Sequence, residues 1–338
     1  MALPPADPAR RARLNALKLA ALVRDHRGGE PHGQPTEFGA GAALVVDRAA
    51  WILVDGAPVG PLGAALAWAT ARAVDALHVV IDDAAVAGRL ARRSELVTLP
   101  TTVWVAAGRD LVAAAAAPLP EPSLVDPRCA ALEELIVAGG ADPLVEHGVL
   151  AGEVEGLEVC RAVVDDGMGE ARLDVGIGAH DREAFRLLHG DRPTVEALRD
   201  VVAYVRRHRR AAGSAHALDR LAAERRLRRR LLGEPAAAGL RSLTVLAPPE
   251  PRANVKDPAP CFAVGTDDDG RSAVVAIAVG IDLDLPLAGA EARRAYEPGA
   301  RLVLAVPARD AVPALARVAA LVRGGADVRA VAPAGPAR

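Results

Sequence analysis

Five arginines, Arg225, Arg226, Arg228, Arg229 and Arg230, fall within six positions in the stretch RRLRRRLL. A planar guanidinium binds phosphate in a two-pronged geometry, so such a run is suited to a polyanion, either nucleic acid or a nucleotide. Arg206 and Arg207, with Arg209 and Arg210, add a second basic run just upstream. Each helical residue turns the chain by about 100°, so five arginines in six positions cannot share one face. Some must meet the rest of the protein. Residues 132–174 hold eleven acids and two arginines, net −9, and residues 199–230 hold eleven arginines and three acids, net +8. The competing reading is therefore mutual neutralisation, within the chain or across a homo-oligomer. It predicts guanidinium groups against Glu133, Glu134, Glu153, Glu155 or Glu158. The expectation is that the arginines divide about equally between internal pairing and exposure.

A second cluster lies in LDVGIGAHDREAFRLLHGDRP, residues 173–193. Asp174, His180 and Asp181 are its candidate catalytic groups, with Glu183, His189 and Asp191 nearby. Imidazole and carboxylate groups at a strand-to-helix junction can act as general acids and bases or hold a divalent metal. Gly176 and Gly178 would let the backbone approach an anion at a helix N-terminus. Read structurally, Asp181 is a helix cap, His189-Gly190-Asp191 a helix stop, and the glycines a bend. A third set is Asp55, and Asp282 with Asp284, expected at the ends of strands. Asp282 and Asp284 alternate with period two in GIDLDL, which would place both on one side as metal ligands or as a solvent-facing pair. Asp83 and Asp310 fall where helices should start and read as caps. Lys256, beside Arg252 in RANVKDP, is an exposed loop residue or an anion contact. GxSxG, Walker A and nicotinamide-binding fingerprints are absent from the sequence, which disfavours the chemistries they carry.

The elements that must position these groups follow from apolar periodicity. Pro-rich stretches at 118–127 and 233–260 divide the chain into a block of 1–118 with an N-terminal helix, a middle block of 128–233, and a last block of 240–332. The first block reads as ββαβαβ: runs at 42–46 and 51–55 joined by a tight turn, a helix near 62–73, a run at 77–81, a helix near 84–93, and a run at 102–106. The last block repeats this order at an offset of about 219–227 residues, which suggests an internal duplication. The middle block reads as a β-hairpin (157–164 and 171–177) followed by helices near 181–189, 194–210 and 216–232. The fold class is thus α/β, two similar ββαβαβ units flanking a middle β-hairpin and charged three-helix region. The opening helix carries Leu14, Leu17 and Ala21 on one side, a stripe for packing on the first unit or, alternatively, for an interaction arm.

Composition sets outer bounds. The chain has 338 residues, 51% apolar and 25% charged, with net charge −2. That composition excludes wholesale disorder and a global field toward nucleic acid or membrane. Lysine occurs twice against 39 arginines, a bias of a GC-rich genome. Cys129, Cys160 and Cys261 are widely separated and in no ligand spacing, so neither a disulfide framework nor a cysteine zinc site is expected. With no long apolar run and no secretory pattern, the expectation is a cytoplasmic chain that does not enter a membrane.

The phrases GLEVCRAVV, LDVGIGAHDREAF, LHGDRPTVEAL and AVGIDLDL resemble those of an uncharacterised protein family of high-GC actinobacteria, a resemblance that implies no function. The ββαβ order with carboxylates near strand ends is similar to the restriction-endonuclease-like, PD-(D/E)XK fold. That resemblance implies an Asp and an ExK motif on adjacent strands binding metal. Asp282 could stand for the Asp, but no ExK follows on any strand, so a degenerate, non-catalytic copy fits the pattern better. Three functions follow: polyanion binding, a small-molecule or metal-dependent enzyme with its site at 174–191, and an interaction protein forming homo-oligomers.

Overall fold

The computed structural model describes residues 8–56, 61–165, 169–178, 182–183, 194–210, 218, 221–251 and 259–332. Chain contacts group into two compact units that interleave in sequence. One takes in 1–119, 281–304 and 311–328, the other 120–280, 305–310 and 329–338.

The first unit is built on a six-stranded sheet in the order β1-β2-β3-β4-β5-β6. Its strands are β1 (Thr36–Phe38), β2 (Gly41–Val46), β3 (Ala49–Leu53), β4 (Ala76–Ile81), β5 (Thr101–Ala107) and β6 (Asp110–Ala113). β1, β2 and β3 form an antiparallel meander, β3, β4 and β5 run parallel, and β6 returns antiparallel. The turn between β2 and β3 puts both Asp47 (φ 47°) and Arg48 (φ 62°) in the left-handed region, the conformation of tight hairpin turns. Period-two alternation explains why these strands read as continuously apolar. Leu44, Trp51, Leu53 and Val80 face α1 (Pro8–Arg27), while Ala43, Ile52, Leu77 and Val79 pack with α2 (Pro61–Thr70) and α3 (Ala84–Ser94).

The opening helix does pack on this sheet, but not through the expected stripe. Leu19, Leu22 and Val23 are buried, whereas Leu14 and Leu17 are 55% and 60% exposed. Two apolar stripes compete on this helix, and the one nearer its C-terminus meets the sheet. Asp83 caps α3, accepting from the Ala85 and Val86 backbone N–H groups. Leu287 of α8 (Leu285–Tyr296) and Val318 of α9 (Pro313–Leu321) join the core beneath α2 and α3. The residues following α3 and α9 bridge reciprocally. Thr98 N–H donates to the Leu321 carbonyl and Arg323 N–H to the Leu96 carbonyl, both at 2.8 Å.

The second unit holds a four-stranded antiparallel sheet, β10-β9-β8-β7. Its strands are β7 (Asp142–Glu146), β8 (Val149–Val154), β9 (Leu157–Val164) and β10 (Ala171–Val175). α4 (Pro127–Ala130), α5 (Glu133–Ala138) and α6 (Thr194–Arg210) pack on it. The expected middle hairpin is thus the outer half of a larger sheet. α7 (Ala223–Gly233) lies on β11 (Ser242–Leu246), β12 (Cys261–Thr266) and β13 (Ser272–Ile277). The sheet containing them has the order β11-β12-β13-β14-β15, with β14 at Arg301–Pro307 and β15 at Asp327–Val331. This is the strand order of β1-β2-β3-β4-β5, and in each case a helix precedes the meander. The architecture is α/β, and among the described residues no helix is long and apolar enough to cross a membrane.

Two expected positions are corrected. Strand β13 ends at Ile277, so Asp282 and Asp284 stand on the turn before α8 and not on a strand. Pro286, at the first positions of α8, accounts for the helix start. Asp310 caps no helix: its carboxylate accepts from the Gly280 N–H at 2.8 Å, and α9 begins after Val312 without a side-chain cap.

Candidate polyanion-binding surface

The surface begins with the reason α6 lies where it does. Ala197, Leu198, Val202 and Val205 form its buried stripe over the four-stranded sheet and α5. Close approach depends on Gly139, where a Cβ would sit 2.3 Å from the Leu198 side chain. The polar face carries Glu196, Arg199, Asp200, Tyr204, Arg206 and Arg207 to the surface, with Arg206 and Arg207 near the C-terminal end. Cations there complement the negative end of the helix dipole.

α7 buries Leu227 and Leu231. Helical spacing then turns Arg225 and Arg228 inward, where they are only 7% and 1% exposed. Both reach Glu146 at the end of β7 and Glu153 on β8. Arg228 lies 3.3 Å from Glu146 and 3.2 Å from Glu153, and Arg225 donates to both carboxylates. Burial works against the charge of Arg225, but the two carboxylates outweigh it and raise its pKa. The turn between β8 and β9 fits beneath this helix because Gly156, at φ 75°, has no Cβ; one would meet the Arg225 carbonyl carbon at 2.4 Å. The buried quartet is electrically neutral, two cations against two anions. The mutual-neutralisation reading therefore describes Arg225 and Arg228, with Glu153 among the partners expected for it. Glu146, from the same acidic segment, is a partner outside that expectation.

The remaining arginines behave differently. Arg226 Nη2 donates to the Arg209 carbonyl at 2.6 Å, tying α7 to the C-terminal turn of α6. Arg209 itself is buried and donates to the Leu218 and Leu221 carbonyls, each at 2.9 Å. Arg206 donates to the Gly140 carbonyl at 2.7 Å, and two residues along Arg229 pairs with Asp142 at 3.3 Å. Arg206, Arg207 and Arg229 are exposed, and Arg226 and Arg230 half-buried. Glu146 and Glu153 are thus spent on Arg225 and Arg228, while one outward arginine from each helix, Arg206 and Arg229, reaches residues 140–142. Asp142 is paired there with Arg229. Such a convergent basic surface can hold phosphates or sulfates spaced along a chain.

The other predicted groups are placed as follows. Asp174 pairs with Arg172 at 2.9 Å, and Arg172 also donates to Asp165. His180 and Asp181, with His189 and Asp191, lie outside the described residues, as do Arg252 and Lys256 and the side chain of Arg210. Gly176 (φ 141°) and Gly178 (φ 84°) do adopt backbone angles that favour glycine. Asp282 accepts from the Asp284 N–H at 2.9 Å. The Asp284 carboxylate accepts from the Gly63 N–H and lies 3.6 Å from Arg93, so both its oxygens are engaged by protein donors. Among the described residues no group of three or more His, Cys, Asp or Glu side chains gathers that could hold a metal ion. Burial pushes the Cys160 and Cys261 thiols up to about 12, away from nucleophilic chemistry at neutral pH.

Sequence reasoning missed Glu146, Gly140 and Asp142 as the groups that sort the arginines. The available signal was His147-Gly148, a tight-turn pair that makes 142–154 a hairpin. Compared with protein-family models, curated proteins and solved structures, the chain matches none.

Proposed function

We propose that this chain binds a polyanion, a nucleic acid or a nucleotide, through the surface where the last turn of α6 meets α7. The observation that carries the reading is the division of the arginines. Arg225 and Arg228 are neutralised inside by Glu146 and Glu153, while Arg206, Arg207 and Arg229 stand exposed and Arg226 is half-buried against the Arg209 carbonyl. Two helices supply these groups, so their spacing is set by the sheets on which α6 and α7 lie and by the Arg226–Arg209 hydrogen bond that ties them, and not by a mobile tail.

The test is fluorescence anisotropy of the full chain with labelled duplex DNA and with heparin across a salt series. Binding should fall steeply with salt. Replacing Arg206, Arg207 and Arg229 by Gln should lower the log–log slope by about 0.9 for each phosphate no longer neutralised. Undetectable binding to both ligands at about 50 mM salt would remove the reading, since electrostatic affinity is strongest there.

The exposed Leu14 and Leu17 favour a second reading, association of the chain with itself through α1. Sedimentation equilibrium of the parent and of a Leu14→Ser, Leu17→Ser variant decides it; a monomer at all concentrations in the parent rejects it.

A further inference from the structure

The helix that supplies Arg206 and Arg207 also carries an exposed aromatic ring. The chain has only eight aromatic residues: three Trp, two Tyr and three Phe. Trp51 and Phe262 are fully buried, and Trp104, Trp68 and Phe38 pack against the first unit's cores. Tyr204 instead stands 46% exposed on the outer face of α6. Its ring lies 4.2 Å from the imidazole of His208, centroid to centroid, tilted by 42°. His208 is held in turn by its Nδ1, which donates to the Tyr204 carbonyl at 2.8 Å. An exposed ring braced one turn along by a second ring loses little freedom when a flat ligand settles on it.

Helical geometry sets what lies beside that ring. Arg207 is three residues and His208 four residues beyond Tyr204, so all three share about 100° of the helix surface. Arg207 is exposed, and Arg206 lies further around the helix toward Gly140. A π-face next to a guanidinium is the combination that meets a base and its neighbouring phosphate. Glu196 and Asp200, exposed on the earlier turns, would repel phosphate, so a strand crossing Tyr204 is directed toward Arg207 and the C-terminal end of the helix. In a duplex the base faces are stacked inside and closed to a ring on a convex helix.

Resting on the polyanion reading above, we propose that the ligand is a nucleic acid with unpaired bases, and that Tyr204 stacks a base while Arg207 holds the adjoining phosphate. The shared chemistry is a base next to a phosphate, whether in a DNA strand, an RNA strand or a free nucleotide.

The experiment is competition anisotropy with the full chain, using oligo(dT), oligo(U), a mononucleotide, a duplex of equal phosphate count and heparin at one salt concentration. The single strands should bind more tightly than the duplex. Tyr204→Ala should weaken them about 5- to 100-fold, as expected for loss of one stacked base. Tyr204→Phe should restore the binding, and heparin affinity and the salt slope should stay unchanged in both variants. Preference of oligo(U) over oligo(dT), or comparable affinity of the mononucleotide, identifies which source the site takes. If heparin and duplex bind but Tyr204→Ala leaves the single strands unaffected, the stacking proposal is overturned and the polyanion reading stands. If no ligand binds, both fall.

Discussion

Asp284 accepts a hydrogen bond from the backbone N–H of Gly63, joining the turn before α8 to the first turn of α2 across more than two hundred residues of sequence. The contact exists because residue 63 has no side chain. A Cβ there would lie 1.9 Å from the Leu283 carbonyl oxygen and 2.7 Å from the Asp284 nitrogen, both backbone atoms that cannot rotate away. Gly63→Ala should therefore force α2 and the α8 turn apart. The expected loss is on the order of 1–3 kcal/mol, as for overpacked cores. Urea denaturation measures it, and an unchanged midpoint would show that the two backbones are not in contact.

The same carboxylate should mark the pH dependence of stability. Burial pushes the Asp284 pKa up to about 6, against the opposing pull of Arg93 and the Gly63 N–H. An unfolded Asp titrates near 3.9, so between about pH 4 and 6 the native chain binds more protons than the unfolded one. This group's contribution therefore declines as pH rises through that window. Asp284→Asn keeps an oxygen for Gly63 and removes the titration. The stability gained by the parent between pH 7 and pH 5 should exceed that of the variant by about 1 kcal/mol. Parallel stability curves for the two chains would place the Asp284 pKa at its ordinary value.

Much of this architecture is legible in the sequence, for identifiable reasons. The run LHVVI is apolar on both faces because helices cover both, and the Asp47-Arg48 pair between AALVV and AAWIL closes a hairpin. β7 and β8 escape notice because DPLVE opens with Asp-Pro and VLAGEV carries an inward Glu. That glutamate looks like solvent-facing charge until Arg225 and Arg228 are placed against it. GIDLDL misleads in the opposite direction: its period of two imitates a strand, and only Pro286 signals the helix that follows. The opposite net charges of the middle block foretell neutralisation, but not which arginines take part. That choice depends on the rotation of α7 about its axis, which is set by Leu227 and Leu231 packing inward.

The buried quartet should respond to substitution in a way the exposed arginines do not. Arg228→Met leaves Glu153 and Glu146 facing Arg225 alone inside the protein, one cation against two anions. Breaking a buried pair typically costs about 3–5 kcal/mol. Arg207→Gln, at an exposed position, should fall within about 0.5 kcal/mol of the parent. Exchanging Arg228 and Glu153 together for Met and Leu should recover most of the loss, because the pair's desolvation cost disappears with its charges. Guanidinium denaturation of the four chains is the check. An Arg228→Met variant as stable as the parent would mean that the quartet is solvated.

His78 should give a pH dependence of the opposite sign to that of Asp284. It lies stacked 4.0 Å from Trp51 with planes 19° apart, and its Nδ1 accepts a hydrogen bond from Trp104 Nε1 at 3.1 Å. Burial, followed by the nearby charges of His26 and Arg27 on α1, pushes its pKa down to about 4. Protonation at Nδ1 would also end its role as acceptor for Trp104. An unfolded His titrates near 6.5, so between about pH 6.5 and 4 the unfolded chain binds more protons and stability falls as pH falls. His78→Asn sets an amide oxygen close to the place of Nδ1, keeping an acceptor for Trp104 without a titrating group. The variant should lose less stability than the parent between pH 7 and pH 4.5, by about 1–2 kcal/mol after allowance for partial exposure. Comparing each chain with itself at the two pH values cancels the packing cost of the substitution and every titration the chains share. A loss in the variant as large as in the parent would mean that His78 protonates freely in the folded state.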